Sequence, residues 1–265
     1  MNLTDILYEK TNGTAKITMN RPKSLNAFRG ETVQELIRCF RDAWDDNEIG
    51  VVVLTGAGDR AFCVGGDIKQ RESGGYGGNG GLTGGMGLEM ETLHYVIRNI
   101  PKPVIAAVNG YAVGGGHVLQ VLCDLTIASD RAILGQKGPS VGSYDAGFGS
   151  AYLARIVGEK KAREIWYLCL QYSAEEALQM GLINKVVPHE QLQEEVDKWC
   201  ELILQKSPTA LKMLKASFNA DSANIEGISQ LAFGSLSMFY KSEEALEGKN
   251  AFVEKRPVDF SRFRK

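Results

Sequence analysis

Apolar residues near the start of the chain follow two different periods. Residues 5–20 contain two β-prone runs around Asn12-Gly13, a pair that tolerates the positive φ angles of a tight turn. Further along the chain, residues 51–58 form a separate apolar run that ends in glycines. Between these runs, apolar residues recur at the spacing of one helix face, at Val33, Leu36, Ile37, Phe40 and Trp44. The pattern predicts a β-hairpin, an amphipathic helix and a buried strand.

The middle of the chain continues to alternate between strand and helix patterns. Residues 103–129 predict a strand, a glycine turn, a helix and another strand. A helical pattern begins at Ser173, and residues 181–187 predict a further strand. Strands that alternate with helices indicate an α/β architecture.

Strand patterns stop at about residue 190. The segments EQLQEEVDKWCELILQ, SPTALKMLKASFNA and the stretch that begins IEGISQLAFG are helical in pattern. We therefore predict a core over residues 1–190 and a helical region over residues 191–265. The apolar faces of this region would pack on the core or on another subunit.

A glycine-rich segment interrupts the pattern at residues 74–87. It holds nine glycines in fourteen positions, GGYGGNGGLTGGMG, directly after the sequence CVGGDIKQR. Such a composition is typical of a flexible surface linker and also of a mobile loop over a site. The sequence leaves both interpretations open.

Composition and charge exclude several classes of protein. The 265 residues are 44% apolar and 23% charged, and 30 basic residues against 32 acidic ones give a net charge of −2. This balance favours neither nucleic acid nor an anionic membrane as a partner. The five cysteines are widely spaced without a CxxC or Cys/His ligand pattern, which disfavours a metal site. With neither a signal peptide nor a spanning apolar run, we expect a cytoplasmic protein with reduced thiols.

Two glycine clusters follow neighbouring predicted strands. Residues 62–67 are FCVGGD, and residues 110–117, GYAVGGGH, open a predicted helix. Glycines at a helix start let backbone N–H groups approach a ligand at the positive end of the helix. Two such clusters could direct two N–H groups at one oxygen, as in an oxyanion hole.

One carboxylate and one hydroxyl stand close together after another apolar run. Residues 135–147, GQKGPSVGSYDAG, contain Ser143 and Asp145 among four glycines. A carboxylate in this place can transfer a proton to or from a substrate. Asp145 could instead cap a turn, as aspartate often does, and Ser143 could be structural.

Several motifs resemble the crotonase (enoyl-CoA hydratase/isomerase) superfamily, namely NRPKSLNAF, AFCVGGDIK, KPVIAAVNGYAVGGGHVL and EALQMGLINKVV. The resemblance covers nearly the whole chain in order. It implies an α/β fold, the crotonase (ClpP-like) spiral of ββα units, with a C-terminal helical region and assembly into homotrimers or homohexamers. It also implies an acyl-CoA substrate, with coenzyme A as part of that substrate and no tightly bound cofactor. By matching position, the N–H groups of Gly66 and Gly115 would hold the thioester enolate.

The sequence departs from the hydratases of this superfamily at two positions. Those enzymes carry two glutamates, and the matching residues here are Val118 and Gly138. Neither residue can transfer a proton, so simple addition of water to a double bond is disfavoured. The residues from Gln136 to Asp145 resemble instead a narrower branch. It includes 1,4-dihydroxy-2-naphthoyl-CoA synthase, which closes a ring by a Dieckmann-type condensation, and 2-ketocyclohexanecarboxyl-CoA hydrolase, which opens an alicyclic β-keto ring with water.

The branch resemblance assigns catalytic roles to three side chains. Asp145 would deliver water to the ring ketone or return a proton to the α-carbon. Ser143 would orient Asp145 or the ketone. Tyr240 matches a tyrosine that reaches the site from the C-terminal region, often of an adjacent subunit, and it could hydrogen-bond the ketone oxygen or be a plain interface aromatic.

The resemblance also suggests where the rest of the substrate would bind. Gly138 leaves a gap beside Gln136, where the synthases hold bicarbonate as a surrogate base. The basic residues Lys69 and Arg71 match loop residues that serve a substrate carboxylate, and we place Tyr76 with them. The last match is Lys255, near the CoA phosphates or a carboxylated substrate, although it could be a solvated charge.

The direction of the reaction depends on which segments are weighed. Lys69 and Arg71 favour the ring-closing synthase, whereas longer segments, including NAFRGET and VPHEQLQEEVDKW, favour the ring-opening hydrolase. We expect hydrolytic ring opening, with the synthase as the alternative and an enoyl-CoA hydratase after both. None of the three histidines is assigned to catalysis. An RNA-binding relative is disfavoured by the balanced charge, and a catalytically inactive assembly subunit by the intact Gly66, Gly115 and Asp145.

Overall fold

The computed structural model describes residues 1–72, 75–76 and 88–264. Within them the strands are β1 (Ile6–Thr11), β2 (Thr14–Met19), β3 (Val51–Gly56), β4 (Ala61–Cys63), β5 (Arg71–Glu72), β6 (Gly75–Tyr76), β7 (Val104–Val108), β8 (Tyr111–Val113), β9 (Leu125–Ser129), β10 (Ile133–Gly135), β11 (Gln171–Ser173) and β12 (Lys185–Val187). The helices are α1 (Gly30–Asp45), α2 (Met90–Asn99), α3 (Gly115–Leu122), α4 (Leu153–Val157), α5 (Glu159–Leu168), α6 (Ala174–Gln179), α7 (Leu192–Leu204), α8 (Pro208–Asp221), α9 (Asn224–Phe239) and α10 (Glu243–Glu254). Most of the glycine-rich segment at 74–87 lies outside the described residues.

Two sheets carry the fold. The larger has the order β1-β2-β3-β7-β9-β12, and it is parallel except for the β1–β2 hairpin. The smaller has the order β11-β10-β8-β4, and a short β5–β6 ribbon stands apart. The first strands of three units, β3, β7 and β9, are neighbours in the large sheet, and their second strands, β4, β8 and β10, are neighbours in the small one. This is the repeated ββα arrangement that the sequence resemblance implies.

The local predictions for the first half of the chain are confirmed. Asn12 and Gly13 have φ angles of 50° and 81°, so the turn between β1 and β2 uses the left-handed conformations that this pair tolerates. In α1 the predicted apolar face is buried from Val33 to Phe40, and Trp44 packs at its edge. Strand β3 is buried at every position, as expected of a parallel strand covered on both faces.

Two predictions along the chain need correction. The glycine turn predicted after β7 contains a further strand, β8, whose three residues are too few to show a period. The strand predicted over 181–187 begins only at Lys185, because Gly181 has a φ of 75° and ends the preceding helical segment in a left-handed turn.

The last strand ends at Val187, and helices α7 to α10 follow. Helix α8 is fixed to the core by Lys215, a buried lysine whose ammonium lies 2.7 Å from Asp124 and 3.0 Å from the carbonyl oxygen of Lys102. Burial lowers the pKa of Lys215, and the Asp124 carboxylate opposes that shift. The outer faces of α8 and α9 leave large apolar side chains exposed, among them Phe218, Leu231 and Met238.

None of the helices in the described part of the chain is long and apolar enough to cross a membrane. The cysteines are free thiols, and four of them are buried, with Cys169 half-buried.

Candidate active site

A cavity of about 90 Å³ lies where the two glycine clusters meet the segment after β10. One wall is apolar and comes from α2, α3, α9 and the loop before α1. It is formed by Phe28, Leu88, Met90, Val118, Phe233 and Leu236. The polar side chains that line the cavity, called here the polar wall, include Tyr76, Gln136, Ser143, Asp145 and Tyr240. An apolar pocket with a few convergent polar groups is the usual form of a small-molecule site.

Gly66 and Gly115 lie together at one end of this cavity. A Cβ atom on Gly115 would lie 2.6 Å from the ring of Phe28, and one on Gly66 would lie 3.5 Å from the same ring. Between them, the backbones of Gly65 and Gly115 approach closely, and this requires glycine at position 65. Its φ is 86°, and a Cβ there would lie 2.8 Å from the Gly115 nitrogen. The two glycine clusters therefore touch, as the sequence pattern predicts.

Within the described ranges, the N–H groups of these two glycines have no backbone acceptor in the surrounding loops. In the parallel bridge at this point, Phe28 donates to the Gly65 carbonyl and Asp67 donates to the Phe28 carbonyl, both at 2.9 Å. That pairing turns the N–H of Gly66 away from Phe28. Gly115 is the first residue of α3, so its N–H has no partner within the helix and lies at the positive helix end. Two donors at one end of a cavity suit a developing oxyanion.

Asp145 is held through one of its carboxylate oxygens. Its Oδ1 accepts hydrogen bonds from the N–H groups of Gly147 and Gly149, at 3.1 and 3.0 Å. The side chain is half-buried and lines the cavity. The turn-capping role and the cavity-facing role that the sequence left as alternatives therefore occur together. Among the described residues, no other carboxylate lines the cavity.

Ser143 and Tyr240 form a hydrogen-bonded pair across the polar wall. Their hydroxyl oxygens are 2.7 Å apart, and the backbone N–H of Ser143 donates to the Gly138 carbonyl at 2.9 Å. Tyr240 follows α9 directly, and it reaches the cavity of its own chain. Burial raises the pKa of Tyr240, which keeps the phenol protonated and able to donate a hydrogen bond.

Arg71 lies behind the cavity rather than in its wall. Its buried guanidinium donates to the carbonyl oxygens of Val141, Gly142 and Ala245 at 2.9, 3.3 and 3.2 Å. The guanidinium carbon lies 4.7 Å from the ring centroid of Tyr240. From the sequence we expected Arg71 to bind a substrate carboxylate. The geometry differs because its donors are directed at backbone carbonyls, which tie the β5 segment to α10 and support Tyr240.

The other expected substrate-binding residues divide into two groups. Tyr76 lines the cavity, and its hydroxyl occupies the space that a Cβ on Gly66 would need. Burial raises the pKa of Tyr76. Lys69 and Lys255 are both exposed, and neither lines the cavity. The structure therefore brings Tyr76 to the site, while the two lysines lie outside the cavity.

Gln136 and Gly138 face the cavity next to an aromatic residue that the sequence analysis missed. A Cβ on Gly138 would lie 3.1 Å from the Trp166 ring and 2.8 Å from the Ser143 carbonyl oxygen. Trp166, on α5, also lines the cavity, and its indole nitrogen donates to the Gly149 carbonyl. In the sequence Trp166 is one more apolar residue at helical spacing, so nothing there separates it from the core.

The chain belongs to the enoyl-CoA hydratase/isomerase family, whose family model matches residues 9–263. It is therefore a crotonase-fold protein of the acyl-CoA enzyme class. A solved enoyl-CoA hydratase from Mycobacterium avium subsp. paratuberculosis K-10 is similar with TM-score 0.86 and 28% identity, covering 98% of this chain and 100% of that chain. A carnitinyl-CoA hydratase from Mycobacterium avium has TM-score 0.83 and 31% identity, with 97% and 98% covered. An enoyl-CoA hydratase from Bacillus anthracis has TM-score 0.71 and 29% identity, with 97% and 99% covered.

Proposed function

We propose that this enzyme opens the ring of an alicyclic β-ketoacyl-CoA by hydrolysis, a retro-Dieckmann cleavage through a thioester enolate. The observation that carries the proposal is the composition of the polar wall. Asp145 is the one carboxylate that the described residues place there, and it lies on the same short segment as the Ser143 hydroxyl. Val118 and Gly138 line the cavity at the positions where the resemblance expects the hydratase glutamates.

The residues account for each step of a balanced reaction. Water attacks the ring ketone while Asp145 Oδ2, the oxygen not held by Gly147 and Gly149, takes one of its protons. The Ser143–Tyr240 pair donates a hydrogen bond to the ketone oxygen as it becomes an alkoxide. Collapse breaks the bond between the former ketone carbon and the α-carbon, and the electron pair passes into the thioester.

The thioester enolate is the leaving group in that step. The N–H groups of Gly66 and Gly115 stabilise it, and each such donor is worth roughly 3 kcal/mol where charge develops. Asp145 then returns its proton to the α-carbon. The product is an open-chain acyl-CoA with a new carboxyl group, one water heavier than the substrate.

The alternative is the reverse bond change, ring closure of o-succinylbenzoyl-CoA by a 1,4-dihydroxy-2-naphthoyl-CoA synthase. It is supported by the lack of a side-chain base at Gly138, which lines the cavity together with Gln136. The Gln136 side-chain amide has one atom without a hydrogen-bond partner among the described residues, so a small ligand can hydrogen-bond to it. Gln136 and Gly138 would hold bicarbonate, which would supply a base when bound.

We also propose assembly into a homotrimer or homohexamer. The exposed Phe218, Leu231 and Met238 on α8 and α9 support this, because apolar groups of that size on an outer helical face favour burial against a second subunit.

Mass spectrometry of products tests the proposed reaction. We expect 2-ketocyclohexanecarboxyl-CoA to gain one water and give pimeloyl-CoA, with Asp145→Asn as the inactive control. Loss of water from o-succinylbenzoyl-CoA, with no reaction of the alicyclic substrate, would contradict the proposed hydrolase activity and support the synthase activity. Efficient hydration of crotonyl-CoA would overturn both and place the chain with the hydratases that it resembles.

A further inference from the structure

A buried arginine lies against the turn that holds Asp145. Arg98, on α2, is 5% exposed. Its Nη1 donates to the hydroxyl of Tyr152 at 2.8 Å, and its Nη2 donates to the hydroxyl of Ser222 at 3.2 Å. Its guanidinium carbon lies 4.4 Å from the ring centroid of Tyr152 and 5.9 Å from that of Phe148. Burying a cation is costly unless its donors are used, so these contacts fix the place of the guanidinium.

Phe148 and Tyr152 are the first and last residues of a wide, π-helical turn, called here the π-turn. The Gly147 carbonyl accepts from the N–H of Ala151 at 2.9 Å and from the N–H of Tyr152 at 3.4 Å, four and five residues along. The Phe148 carbonyl accepts from the N–H of Leu153, again five residues along. Turns of this kind are rare and occur often at functional sites. Because α4 begins directly after it, the segment could instead tighten into an ordinary α-helical turn.

The π-turn supplies the donors that hold Asp145. Gly149 lies inside it and Gly147 directly before it, and the N–H groups of both donate to Asp145 Oδ1. A Cβ on Gly149 would lie 2.9 Å from the Asp145 side chain, so the turn and the carboxylate pack closely. One residue of an α-helix corresponds to a rotation of about 100°. Tightening the π-turn by one residue would therefore direct these N–H groups away from the carboxylate.

Arg98 contacts both ends of the π-turn at once. The Phe148 and Tyr152 rings meet edge to face with their centroids 5.9 Å apart, and the guanidinium lies against both. If the turn tightened, one ring would rotate around the helix axis relative to the other, and the guanidinium would lose one of them. The indole of Trp166 donates to the Gly149 carbonyl, but this contact lies inside the turn and does not join its ends. The Arg98 contacts therefore favour the wide form of the turn.

We propose that Arg98 is a positioning residue for Asp145. Its guanidinium bridges the two aromatic ends of the π-turn and keeps the turn wide, so that Gly147 and Gly149 direct their N–H groups at Asp145 Oδ1. The bond to Ser222, between α8 and α9, ties the same guanidinium to the C-terminal helices. Arg98 acts through the turn and does not touch the substrate. The proposal rests on Asp145 as the base of the proposed reaction, but the state of the turn can be measured without turnover.

Hydrogen exchange in the free enzyme tests the turn. Tyr152→Phe removes the hydroxyl that Arg98 binds on the π-turn, and Ser222→Ala removes the hydroxyl that it binds outside the turn, so each variant loses one hydrogen bond to the same guanidinium. Amide exchange in peptides spanning residues 145–153 should be at least about tenfold faster in Tyr152→Phe and close to the wild-type rate in Ser222→Ala. Wild-type exchange in Tyr152→Phe, or equal acceleration in both variants, would overturn the proposal whether or not the proposed reaction is correct.

Turnover of 2-ketocyclohexanecarboxyl-CoA tests whether the turn acts through Asp145. Tyr152→Phe should lower kcat by about tenfold to a hundredfold and change KM and the affinity for acetoacetyl-CoA by less than about twofold, because the N–H groups of Gly66 and Gly115 are unaffected. In the Asp145→Asn background it should cause no further loss of kcat, because the carboxylate that the turn positions is gone. A further loss of the same size would contradict the proposal. If the wild type converts no acyl-CoA, the proposed function fails, and the exchange result alone decides the role of Arg98.

Substitutions at Arg98 itself separate the bridge from the charge. Arg98→Met removes both, whereas Arg98→Lys keeps a positive charge but lacks the planar group with several donors. We expect amide exchange over residues 145–153 to be equally fast in the two variants. Recovery of wild-type exchange in Arg98→Lys would contradict the bridge. Because Tyr152→Phe and Ser222→Ala leave Arg98 in place, the main test does not depend on the folding of the Arg98 variants.

Discussion

The hydroxyl of Tyr240 lies 2.7 Å from the hydroxyl of Ser143, although the two residues are 97 positions apart in the chain. Ser143 belongs to the segment after β10, and Tyr240 directly follows α9. Their contact joins the helical C-terminal region to the segment that carries Asp145. It also places the Tyr240 phenol in the cavity wall, where a ketone oxygen could accept a hydrogen bond from it.

Removing either hydroxyl of this pair should lower turnover. Tyr240→Phe keeps the ring on Arg71 and removes one hydrogen bond to a developing alkoxide, so kcat should fall by about tenfold to a hundredfold. Ser143→Ala should lower kcat by a smaller factor, because the Tyr240 hydroxyl remains to donate the hydrogen bond. The kcat of the double variant should be close to that of Tyr240→Phe alone, since the two hydroxyls act as a unit. Fully additive losses in kcat would show that they act independently.

Asp145→Asn should abolish most activity and leave the fold intact. The amide oxygen of asparagine can still accept from Gly147 and Gly149, but the side chain can no longer take a proton from water. General-base catalysis typically contributes a factor of about a hundred to ten thousand, so kcat should fall within that range. The melting temperature and acetoacetyl-CoA affinity should stay near those of the wild type. Normal turnover in this variant would leave Asp145 with its turn-capping role alone.

Arg71 and Lys69 provide a matched comparison on one short segment. Arg71→Met leaves three buried carbonyl oxygens without their donor and should lower the free energy of unfolding by about 2–4 kcal/mol. It should also lower kcat, because Tyr240 loses its support. Lys69→Ala removes an exposed charge and should change stability by less than about 0.5 kcal/mol. If Arg71→Met instead raised KM with no loss of stability, Arg71 would be a substrate ligand after all.

His117 should make the folded state sensitive to acid. In the unfolded chain its imidazole binds a proton below its ordinary pKa of 6.5, whereas in the folded protein it does so only at about pH 4. Between these values the unfolded state binds more protons, so stability falls as the pH falls. From about pH 7 to about pH 4, denaturant titrations should show that the wild type loses about 3 kcal/mol more than His117→Asn. Burial also lowers the pKa of His94. Because His94 is present in both proteins, its contribution to the pH dependence cancels in the comparison. Parallel pH profiles would contradict a neutral buried His117.

Lys215 and Lys212 test how α8 is attached to the core. Lys215→Met leaves the Asp124 carboxylate without its buried cation and should lower the free energy of unfolding by about 3 kcal/mol. Lys212 is on the same helix but exposed, so Lys212→Met should have an effect below about 0.5 kcal/mol. Equal effects of the two substitutions in denaturant unfolding would show that the ion pair adds nothing specific.

Local signals in the sequence were enough for much of the fold. The Asn12-Gly13 turn and the buried face of α1 follow from residues near each other in the chain. The contact between the two glycine clusters, which are far apart in the chain, followed because each cluster comes after one of two neighbouring strands. Strand β8 was missed because three residues carry no measurable period. The start of β12 was misplaced because the apolar residues before Lys185 belong to a turn.

Site residues could be predicted from the sequence only where they lie in a recognisable motif. Gly66, Gly115, Ser143 and Asp145 were found because each lies in a recognisable segment. Trp166 was missed because an aromatic residue on a helix face is normally part of the core. The carbonyl oxygens that Arg71 contacts lie 70 to 174 residues further along the chain, and no local sequence pattern indicates such contacts.

The late position of Tyr240 has a consequence for synthesis on the ribosome. Phe28, near the start of the chain, and Tyr240, close to its end, line the same cavity. A nascent polypeptide can form the β1–β2 hairpin and both glycine clusters long before Tyr240 leaves the exit tunnel. Until α9 docks, the partly synthesised enzyme holds an open, incomplete pocket that lacks the phenol. The cavity is therefore complete only after synthesis has passed Tyr240 and α9 has docked.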